Sequence, residues 1–365
     1  MAEEPGGYSD FDGRRIILVK YKRSTHKKGK VIENNLKESL ISKDFFPDDI
    51  KIDESNIFPV AVVATMSSGK STLINALLGK EILPSSNAAC TALNYSILDD
   101  DQKSKEIICV TDTSGKTRII EENLAEELHK INEAQDVTNV FIRSHIDGVL
   151  NTDRALLIID TPGPNNSRTT VHENVLHDIV KKMRGGVFLY LLNATQLGVH
   201  DDKSLLIFLK EIVSKNPEMK IVFAINKVDA WDEEYESIQG LIDNTKKYIE
   251  DIGFVQPDII PLSAMAALLF KKVLSKQSLT RKEKSDFRSL YDLYKATDFN
   301  MRKYAITNEL KNQSKMIELD GEKYSVGDLN QAIANTGITM LENYIQKAQI
   351  LSSGQIKNTL KVRIK

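Results

Sequence analysis

Short apolar runs alternate with amphipathic segments along most of this chain. The run from Phe58 to Thr65 is continuous, and five later runs share its character: Ile107–Thr111, Ala155–Ile159, Val187–Leu192, Ile221–Ile225 and Ile259–Leu262. Each has the length of a strand buried on both faces. Helical periodicity or composition marks the segments between them: Asn123–Asn132, Thr170–Met183, Asp202–Lys215, Glu234–Asp251 and Ala264–Leu274. This alternation predicts an α/β fold of three layers, with a mostly parallel central sheet between helices.

The first 55 residues have a different pattern. They contain one strand-like run, Arg15–Tyr21, followed by a cluster of basic residues and then a cluster of acidic ones. Adjacent blocks of opposite charge predict a solvated leader at positions 1–55. A basic block of this size is also of the kind that binds anionic lipid or nucleic acid.

The chain becomes more polar after residue 275 and then helical again. A turn is predicted at Asp320-Gly321, and an amphipathic helix at Ile338–Ile350, where Thr339 and Glu342 have the spacing of a capping box. We therefore expect one large domain over residues 56–350, followed by a basic tail at 351–365.

Composition excludes several classes of protein. The 365 residues include 49 Lys+Arg and 51 Asp+Glu, so the net charge of −2 argues against a nucleic-acid-coating protein, and no nucleic-acid partner is expected. No apolar run is long enough to span a membrane, and no signal sequence is recognisable. Cys90 and Cys109 are too few for a disulfide framework, which favours the cytoplasm. His172 and His177 lie five residues apart, the wrong spacing for a metal site, and all six histidines are interpreted as structural or surface residues.

A phosphate-binding loop follows the first apolar run. The segment Ala64-Thr-Met-Ser-Ser-Gly-Lys-Ser71 departs from the pattern GxxxxGK[ST] only at Ala64, where glycine is usual. Small residues let backbone N–H groups turn toward phosphate, Lys70 neutralises the β and γ charges, and the Ser71 hydroxyl binds Mg²⁺. The predicted nucleotide contacts here are Met66, Ser67, Ser68, Gly69, Lys70, Ser71 and Thr72.

Three further motifs stand at the ends of predicted strands, in the order that a GTPase requires. In Asp160-Thr-Pro-Gly163, Asp160 is predicted to hold Mg²⁺ through water and the Gly163 amide to contact the γ-phosphate. In Asn226-Lys-Val-Asp229, the Asp229 carboxylate accepts two hydrogen bonds from guanine, Lys227 lies along the base and Asn226 ties this loop to the phosphate loop. Ser263-Ala264 presents a backbone N–H to the guanine carbonyl. Together with the phosphate loop, these motifs predict a guanine-nucleotide site.

One more Mg²⁺ ligand is expected between the phosphate loop and Asp160. Thr91 lies 21 residues after Lys70, in a loop-like segment, and is the predicted threonine that closes over Mg²⁺ and the γ-phosphate. The alternative is a solvent-exposed threonine without a ligand.

These segments resemble the dynamin family, in particular its bacterial members. The resemblance is carried by the phosphate loop with the following Leu73-Ile-Asn-Ala-Leu-Leu-Gly79, by Leu83-Pro-Ser before Thr91, by Asp160-Thr-Pro-Gly-Pro-Asn-Asn-Ser-Arg168 and by Leu192-Asn-Ala-Thr-Gln-Leu197. Thr91 and Asp160 are 69 residues apart, whereas Ras-like and Era-like GTPases have a short segment there. The resemblance implies a P-loop GTPase fold with the enlarged dynamin-type GTPase domain.

The resemblance also implies a mechanism. Dynamin-like proteins hydrolyse GTP in a head-to-head dimer of GTPase domains, in which a serine at the position of Ser67 helps to hold a monovalent cation, Na⁺ or K⁺. Pro164 replaces the water-orienting glutamine of Ras-type enzymes, and Met66 replaces a catalytic glutamine of many eukaryotic dynamins. Arg168 is a candidate cationic finger, the alternative being a solvated arginine.

The leading hypothesis is therefore an Mg²⁺-dependent GTP hydrolase whose domain dimerises with nucleotide and acts in membrane remodelling or assembly. By family analogy it is expected in the cytoplasm, peripherally at the inner face of the membrane. No stalk or lipid-binding tip is evident, which suggests a second dynamin-like subunit as partner. The alternative is a slowly hydrolysing, nucleotide-gated module that recruits such a partner, and an Era-like ribosome-associated GTPase is disfavoured by the neutral charge and the 69-residue segment.

Overall fold

The structure is a computed structural model of the whole chain. It describes residues 17–18, 39–47, 50–65, 67–84, 93–101, 106–134, 136–146, 148–151, 153–161, 170–196, 200–231, 236–295, 299–304 and 315–352.

Strands and α-helices alternate through most of the described residues. The strands are β1 Ile17–Leu18, β2 Ile50–Lys51, β3 Ile57–Ala64, β4 Asn94–Asp99, β5 Ile107–Asp112, β6 Thr117–Ile120, β7 Val137–Ser144, β8 Ala155–Asp160, β9 Gly186–Asn193, β10 Met219–Asn226, β11 Ile259–Pro261, β12 Met316–Leu319 and β13 Glu322–Ser325. The α-helices are α1 Lys70–Leu78, α2 Leu124–Glu133, α3 Thr170–Lys182, α4 His200–Lys215, α5 Ile238–Ile252, α6 Ala264–Leu274, α7 Arg281–Lys295, α8 Val326–Asn335 and α9 Ile338–Ser352.

A nine-stranded sheet forms the centre, in the order β11-β10-β9-β3-β8-β4-β7-β5-β6. The five strands from β11 to β8 are parallel, so their carboxyl ends lie at one edge. Strand β4 runs antiparallel to β8, and β7 is parallel to β4, so the carboxyl ends of β4 and β7 lie at the opposite edge. A ligand of such a sheet is expected where the parallel strands end.

Helices cover both faces of the sheet, which confirms the predicted three-layer α/β architecture. Along β3, Val60 and Val62 pack into one core with helices α1, α6 and α9, while Ala61 and Val63 pack into a second core with α3 and α4. Every residue of β3 is buried. Burial on both faces explains why this strand is a continuous apolar run and not an alternating one.

Part of the segment predicted as a solvated leader, residues 39–47, packs against the rest of the chain. Leu40 and Ile41 are buried, and Phe46 packs edge-on against Phe141 of β7. The backbone of Ile41 forms a bridge with Met183. The acidic residues around this segment suggested a solvated leader, but Ile41 and Phe46 pack into the second core and Leu40 into the first.

The segment between the predicted Thr91 and Asp160 contains more structure than one strand and one helix. Four strands, β4 to β7, and helix α2 lie between residues 93 and 151, within the part of this segment that is described. Strands β4, β6 and β7 carry polar residues at several positions, so their sequences lack the apolar continuity of the central strands.

The predicted capping box at Thr339 and Glu342 is wrong. Helix α9 already includes Ile338, so Thr339 lies within its first turn and does not precede it. The Glu342 carboxylate instead contacts Lys271 of α6, with 2.6 Å between Oε1 and Nζ. The predicted turn at Asp320-Gly321 is confirmed as the connection of the β12–β13 hairpin. No described helix has both the length and the apolar character that would let it cross a membrane.

Candidate functional site

The phosphate loop connects the end of β3 to the start of α1, at the edge where the parallel strands end. Ala64 is still paired with Leu191 of β9, so the position where glycine is usual is ordinary strand here and tolerates a side chain. Left-handed backbone begins later, at Ser67 with φ of 62° and Gly69 with φ of 91°. A Cβ at Gly69 would lie 2.5 Å from Asn226 Nδ2, so this position requires glycine.

Side chains from within and beyond the loop hold its backbone. The Ser68 hydroxyl donates to Thr65 O at 2.8 Å and is buried. Asn226 Nδ2 donates to Ser68 O at 2.8 Å, and Lys227 Nζ donates to Ser67 O at 2.7 Å. The loop is therefore shaped before any phosphate is bound, which lowers the entropy cost of binding.

Asn226 is the residue that joins two parts of the site. Its side chain is buried at the carboxyl end of β10, and while Nδ2 contacts the phosphate loop, Oδ1 accepts from the Ala264 amide at 2.9 Å. Lys227 follows in a left-handed conformation with φ of 66°, and Asp229 lies in the short helical turn after it. The predicted NKVD and Ser263-Ala264 segments are thus brought to the same place.

The base loop, which we define as Ser263 and Ala264, differs from its prediction in one respect. The Ser263 amide donates to Thr336 O at 2.9 Å, and the Ala264 amide to Asn226, so both predicted donors already have acceptors in the protein. The Ser263 hydroxyl caps α6 by accepting from Ala266 N at 3.2 Å. The Met265 amide belongs to the N–H groups that a helix start leaves without an intrahelical acceptor, and no sequence motif pointed to it.

Lys70 and Asp160 form an ion pair at the centre of the site. Burial raises the pKa of the Asp160 carboxyl, and the Lys70 ammonium opposes that rise. Thr161, for which the sequence predicted no role, donates from its hydroxyl to Val62 O at 2.8 Å and holds the end of β8 against β3. The sequence feature that could have identified Thr161 is its position directly after Asp160, between a buried strand and a loop.

An Asp carboxylate and a Ser hydroxyl are hard oxygen ligands of the kind that Mg²⁺ prefers. Asp160 is buried beside the first turn of α1, which carries Ser71 and Thr72, both half-buried. The donor set therefore fits Mg²⁺. Four predicted site residues, Met66, Thr91, Gly163 and Arg168, lie outside the described residues.

A second group of potential metal ligands lies elsewhere in the described part of the chain. Ligand atoms of Asp99, Asp101 and His145 fall within 4.8 Å of one another, with Asp99 fully buried. Asp99 ends β4, so this group is at the sheet edge opposite the phosphate loop and takes no part in the nucleotide site. His177 behaves as the sequence analysis expected, since it is exposed and its ring packs against Phe208, 4.2 Å between ring centres.

Parts of this chain are similar to known proteins. Residues 60–228 match the model of the Dynamin family. A protein of Caldicellulosiruptor sp. (strain Rt8B.4), named "Uncharacterized protein in xynA 3'region", is 29% identical over 59% of this chain and 51% of its own length. "Dynamin-like protein 2" of Campylobacter jejuni subsp. jejuni serotype O:23/36 (strain 81-176) is 24% identical over 90% of this chain and 49% of its own length. The chain thus spans about half the length of these two curated relatives.

Three solved structures show a low similarity to this chain. Two come from a study of an oligomerised bacterial dynamin pair in the long-range sensing and tethering of membranes; each is 18% identical with a TM-score of 0.45. They cover 83% and 84% of this chain and 42% and 51% of their own chains. Era bound to MgGDPNP and 16S ribosomal RNA is 18% identical, with a TM-score of 0.32, over 57% of this chain and 51% of its own. None of these likenesses by itself identifies a function.

The matched residues 60–228 run from β3 through the phosphate loop, Asp160 and Asn226. The family model therefore covers the elements that build the site, apart from the base loop. The resemblance noted in the sequence is confirmed over these residues, which match the Dynamin family model.

Proposed function

We propose that this chain binds GTP and hydrolyses it to GDP and phosphate, and that two copies associate through this domain when nucleotide is bound. The observation that carries the proposal is the double contact of Asn226, which ties the phosphate loop to the base loop. The match of residues 60–228 to the Dynamin family model supports the same activity.

Each described residue has a role in this proposal. The amides of Ser67 to Lys70 and the start of α1 bind phosphate, and Lys70 leaves Asp160 to neutralise the β and γ charges. Asp229 accepts from the guanine edge, which adenine cannot satisfy, and Lys227 lies along the base. The guanine carbonyl accepts from the first turn of α6.

Mg²⁺ would be held by Ser71 and, through water, by Asp160, and it would supply charge neutralisation on the β and γ oxygens. Thr91 is proposed to complete this shell and Gly163 to contact the γ-phosphate. Ser67 is proposed to take part in binding a monovalent cation, and Arg168 to approach the phosphates as a cationic finger.

Steady-state GTP turnover with Mg²⁺ tests the hydrolysis proposal. We expect turnover per molecule to rise with protein concentration, to be much slower with ATP, and to fall to background in Lys70→Ala. Lys246→Ala is the matched control, because Lys246 is an exposed lysine on α5, outside the site. Equal turnover of ATP, or full activity of Lys70→Ala, would refute the proposal.

The cellular role is proposed to be remodelling or assembly at a membrane, from the cytoplasmic side, with a second dynamin-like subunit as candidate partner. Co-sedimentation with anionic liposomes, with and without a non-hydrolysable GTP analogue, tests this role. Binding that depends on the analogue is the expected result.

One observation favours a second candidate, a slowly hydrolysing module that recruits a partner. Met66 stands where many eukaryotic dynamins have a catalytic glutamine, and its thioether is a poor hydrogen-bond partner for water. GTP binding with turnover independent of concentration, and no liposome binding, would favour this candidate.

A further inference from the structure

The turn between helices α8 and α9 lies directly behind the base loop. It consists of Thr336 and Gly337, and Thr336 O accepts the Ser263 amide at 2.9 Å. Thr336 is fully buried, and its hydroxyl donates to Ile333 O at 2.6 Å and accepts from Ile338 N at 3.4 Å. The carbonyl that meets the base loop is therefore held by the turn's own hydrogen bonds.

Gly337 lets the turn approach this closely. Its φ is 88°, and a Cβ built on it would lie 2.2 Å from Pro261 O and 3.1 Å from Leu262. Contacts below 3 Å with backbone cannot be relieved by a side-chain rotation. Any larger residue would push the turn away from the end of β11, which leads into the base loop.

Helix α9 anchors the turn from its other side. Glu342 Oε1 lies 2.6 Å from Lys271 Nζ, which also donates to Ala76 O in the last turn of α1 at 2.8 Å. Further along, Gln349 Nε2 donates to Arg154 O at 2.7 Å. With these contacts in place, the turn is held against the base loop.

We propose that Thr336 and Gly337 are positioning residues for guanine recognition, because they set the place of the first turn of α6 against the base. The base loop is held from two sides, by Asn226 at Ala264 and by Thr336 at Ser263. Losing the second contact shifts the amides that face the guanine carbonyl while leaving the phosphate loop in place. The inference rests on the proposed function, because it assigns these residues to the same nucleotide site.

Gly337→Ala in the full chain tests the proposal, with Gly321→Ala as the matched control. Gly321 also has a positive φ, 81°, but a Cβ there would meet nothing within 4 Å. Calorimetric titrations use three diphosphates: guanosine diphosphate, inosine diphosphate, which keeps the 6-oxygen but lacks the 2-amino group, and 2-aminopurine riboside diphosphate, which has the amino group and lacks the oxygen.

We expect Gly337→Ala to weaken the binding of guanosine diphosphate and inosine diphosphate by roughly three- to tenfold. This is the range expected for the loss of one hydrogen bond. The affinity for the 2-aminopurine nucleotide should change by less than about twofold, because this nucleotide lacks the oxygen that contacts the displaced amides. Gly321→Ala should leave all three affinities unchanged. Equal weakening of all three nucleotides would indicate a merely structural role and overturn the proposal, as would no weakening at all.

Thr336→Ala is a second variant that tests the same proposal if Gly337→Ala fails to fold. It removes the hydroxyl that holds the turn, and Thr336→Ser should restore the affinities because it keeps the hydroxyl. Thr336→Ala binding both oxygen-bearing nucleotides as tightly as the wild type would also overturn the proposal.

Hydrogen exchange without nucleotide separates this inference from the proposed function. Both Gly337→Ala and Thr336→Ala should speed exchange of the Ser263 amide, whereas Gly321→Ala should not. Guanine-nucleotide binding by the wild type with unchanged exchange and affinity in the variants would defeat the inference alone. A wild-type chain that binds no guanine nucleotide would defeat the proposed function and the guanine role together, even if exchange responds as expected.

Discussion

At the residue scale, the single side chain of Asn226 joins the two loops of the site. Both ends of its amide are used, one for Ser68 O and one for the Ala264 amide. Asn226, Ser68 and Ala264 are all buried. A buried polar group that is left without a hydrogen-bond partner costs about 1–3 kcal/mol. The shape of the phosphate loop and the position of the base loop thus depend on one side chain.

Asn226→Ala should therefore weaken binding of guanosine diphosphate by about 10- to 100-fold, which corresponds to roughly 1.4–2.8 kcal/mol. Fluorescence titration with a labelled nucleotide measures this change. The control is Asn244→Ala, an exposed asparagine on α5. If Asn226→Ala lowers the affinity for guanosine diphosphate by less than twofold, the bridging role of Asn226 is contradicted.

Asp99 is a second residue whose environment makes a measurable prediction. Burial raises its pKa from 3.8 to about 8. Between these two pH values the folded chain keeps a proton that the unfolded chain has released, so the free energy of unfolding falls as pH rises from about 4 to about 8.

Asp99→Asn removes this titration, so its melting temperature relative to wild type should increase steadily over the same pH range. Differential scanning calorimetry at several pH values measures the difference, with the exposed Asp178→Asn expected to follow the wild type. If the difference in melting temperature between Asp99→Asn and the wild type stays constant with pH, the pKa of Asp99 is not raised in the folded chain.

At the scale of elements, helix α1 is held at both ends. Its first residue is Lys70 of the phosphate loop, and its last turn faces donors from the end of α6. Lys271 Nζ donates to Ala76 O, and Gln277 Nε2 donates to Gly79 O at 2.9 Å. A cation at the carboxyl end of a helix is favourable because of the helix dipole. Helices α1 and α6 both begin at the nucleotide site, so these contacts keep the phosphate loop and the base loop in fixed relation.

Glu342→Gln should destabilise the chain by about 3 kcal/mol, because it leaves the half-buried Lys271 ammonium without its carboxylate. Urea unfolding followed by circular dichroism measures this change. The control is Glu250→Gln, which breaks an exposed pair with Lys246 at 3.9 Å and should cost less than about 0.5 kcal/mol. If both variants lower the free energy of unfolding by a similar small amount, the Lys271–Glu342 pair does not stabilise the packing of the helices.

For the whole molecule, the sheet order determines where the chemistry lies. Five parallel strands end at the edge that carries the phosphate loop, Asp160, Asn226 and the base loop. The reversed strands β4 and β7 carry the Asp99 group to the opposite edge. The two charged clusters are thereby kept apart.

The proposed association predicts a change of mass with nucleotide state. Sedimentation velocity should give a monomer without nucleotide and a dimer with guanosine diphosphate and aluminium fluoride, which together mimic the transferring phosphate. Lys70→Ala should remain monomeric under both conditions. A monomer in every nucleotide state would refute association through this domain.

Much of the molecule was predictable because its signals are local. The central strands are buried on both faces, so their apolar runs are continuous, and their predicted bounds lie within two residues of those observed. The motifs at their ends depend on residue type and short spacing, as at Lys70, Asp160 and Asn226. Strands β4, β6 and β7 escaped prediction because polar residues interrupt their apolar runs, even though β4 and β7 lie inside the sheet.

The sequence by itself determined the strand–loop–helix of the phosphate site and the order of its motifs, since each depends on neighbours along the chain. Only the tertiary structure decided that Leu40 and Ile41 are buried, that Glu342 pairs with Lys271 and does not cap its helix, and that the Ser263 amide is held by Thr336. These contacts join residues that are far apart in sequence, and which partner satisfies a buried polar group depends on the packing of the whole chain.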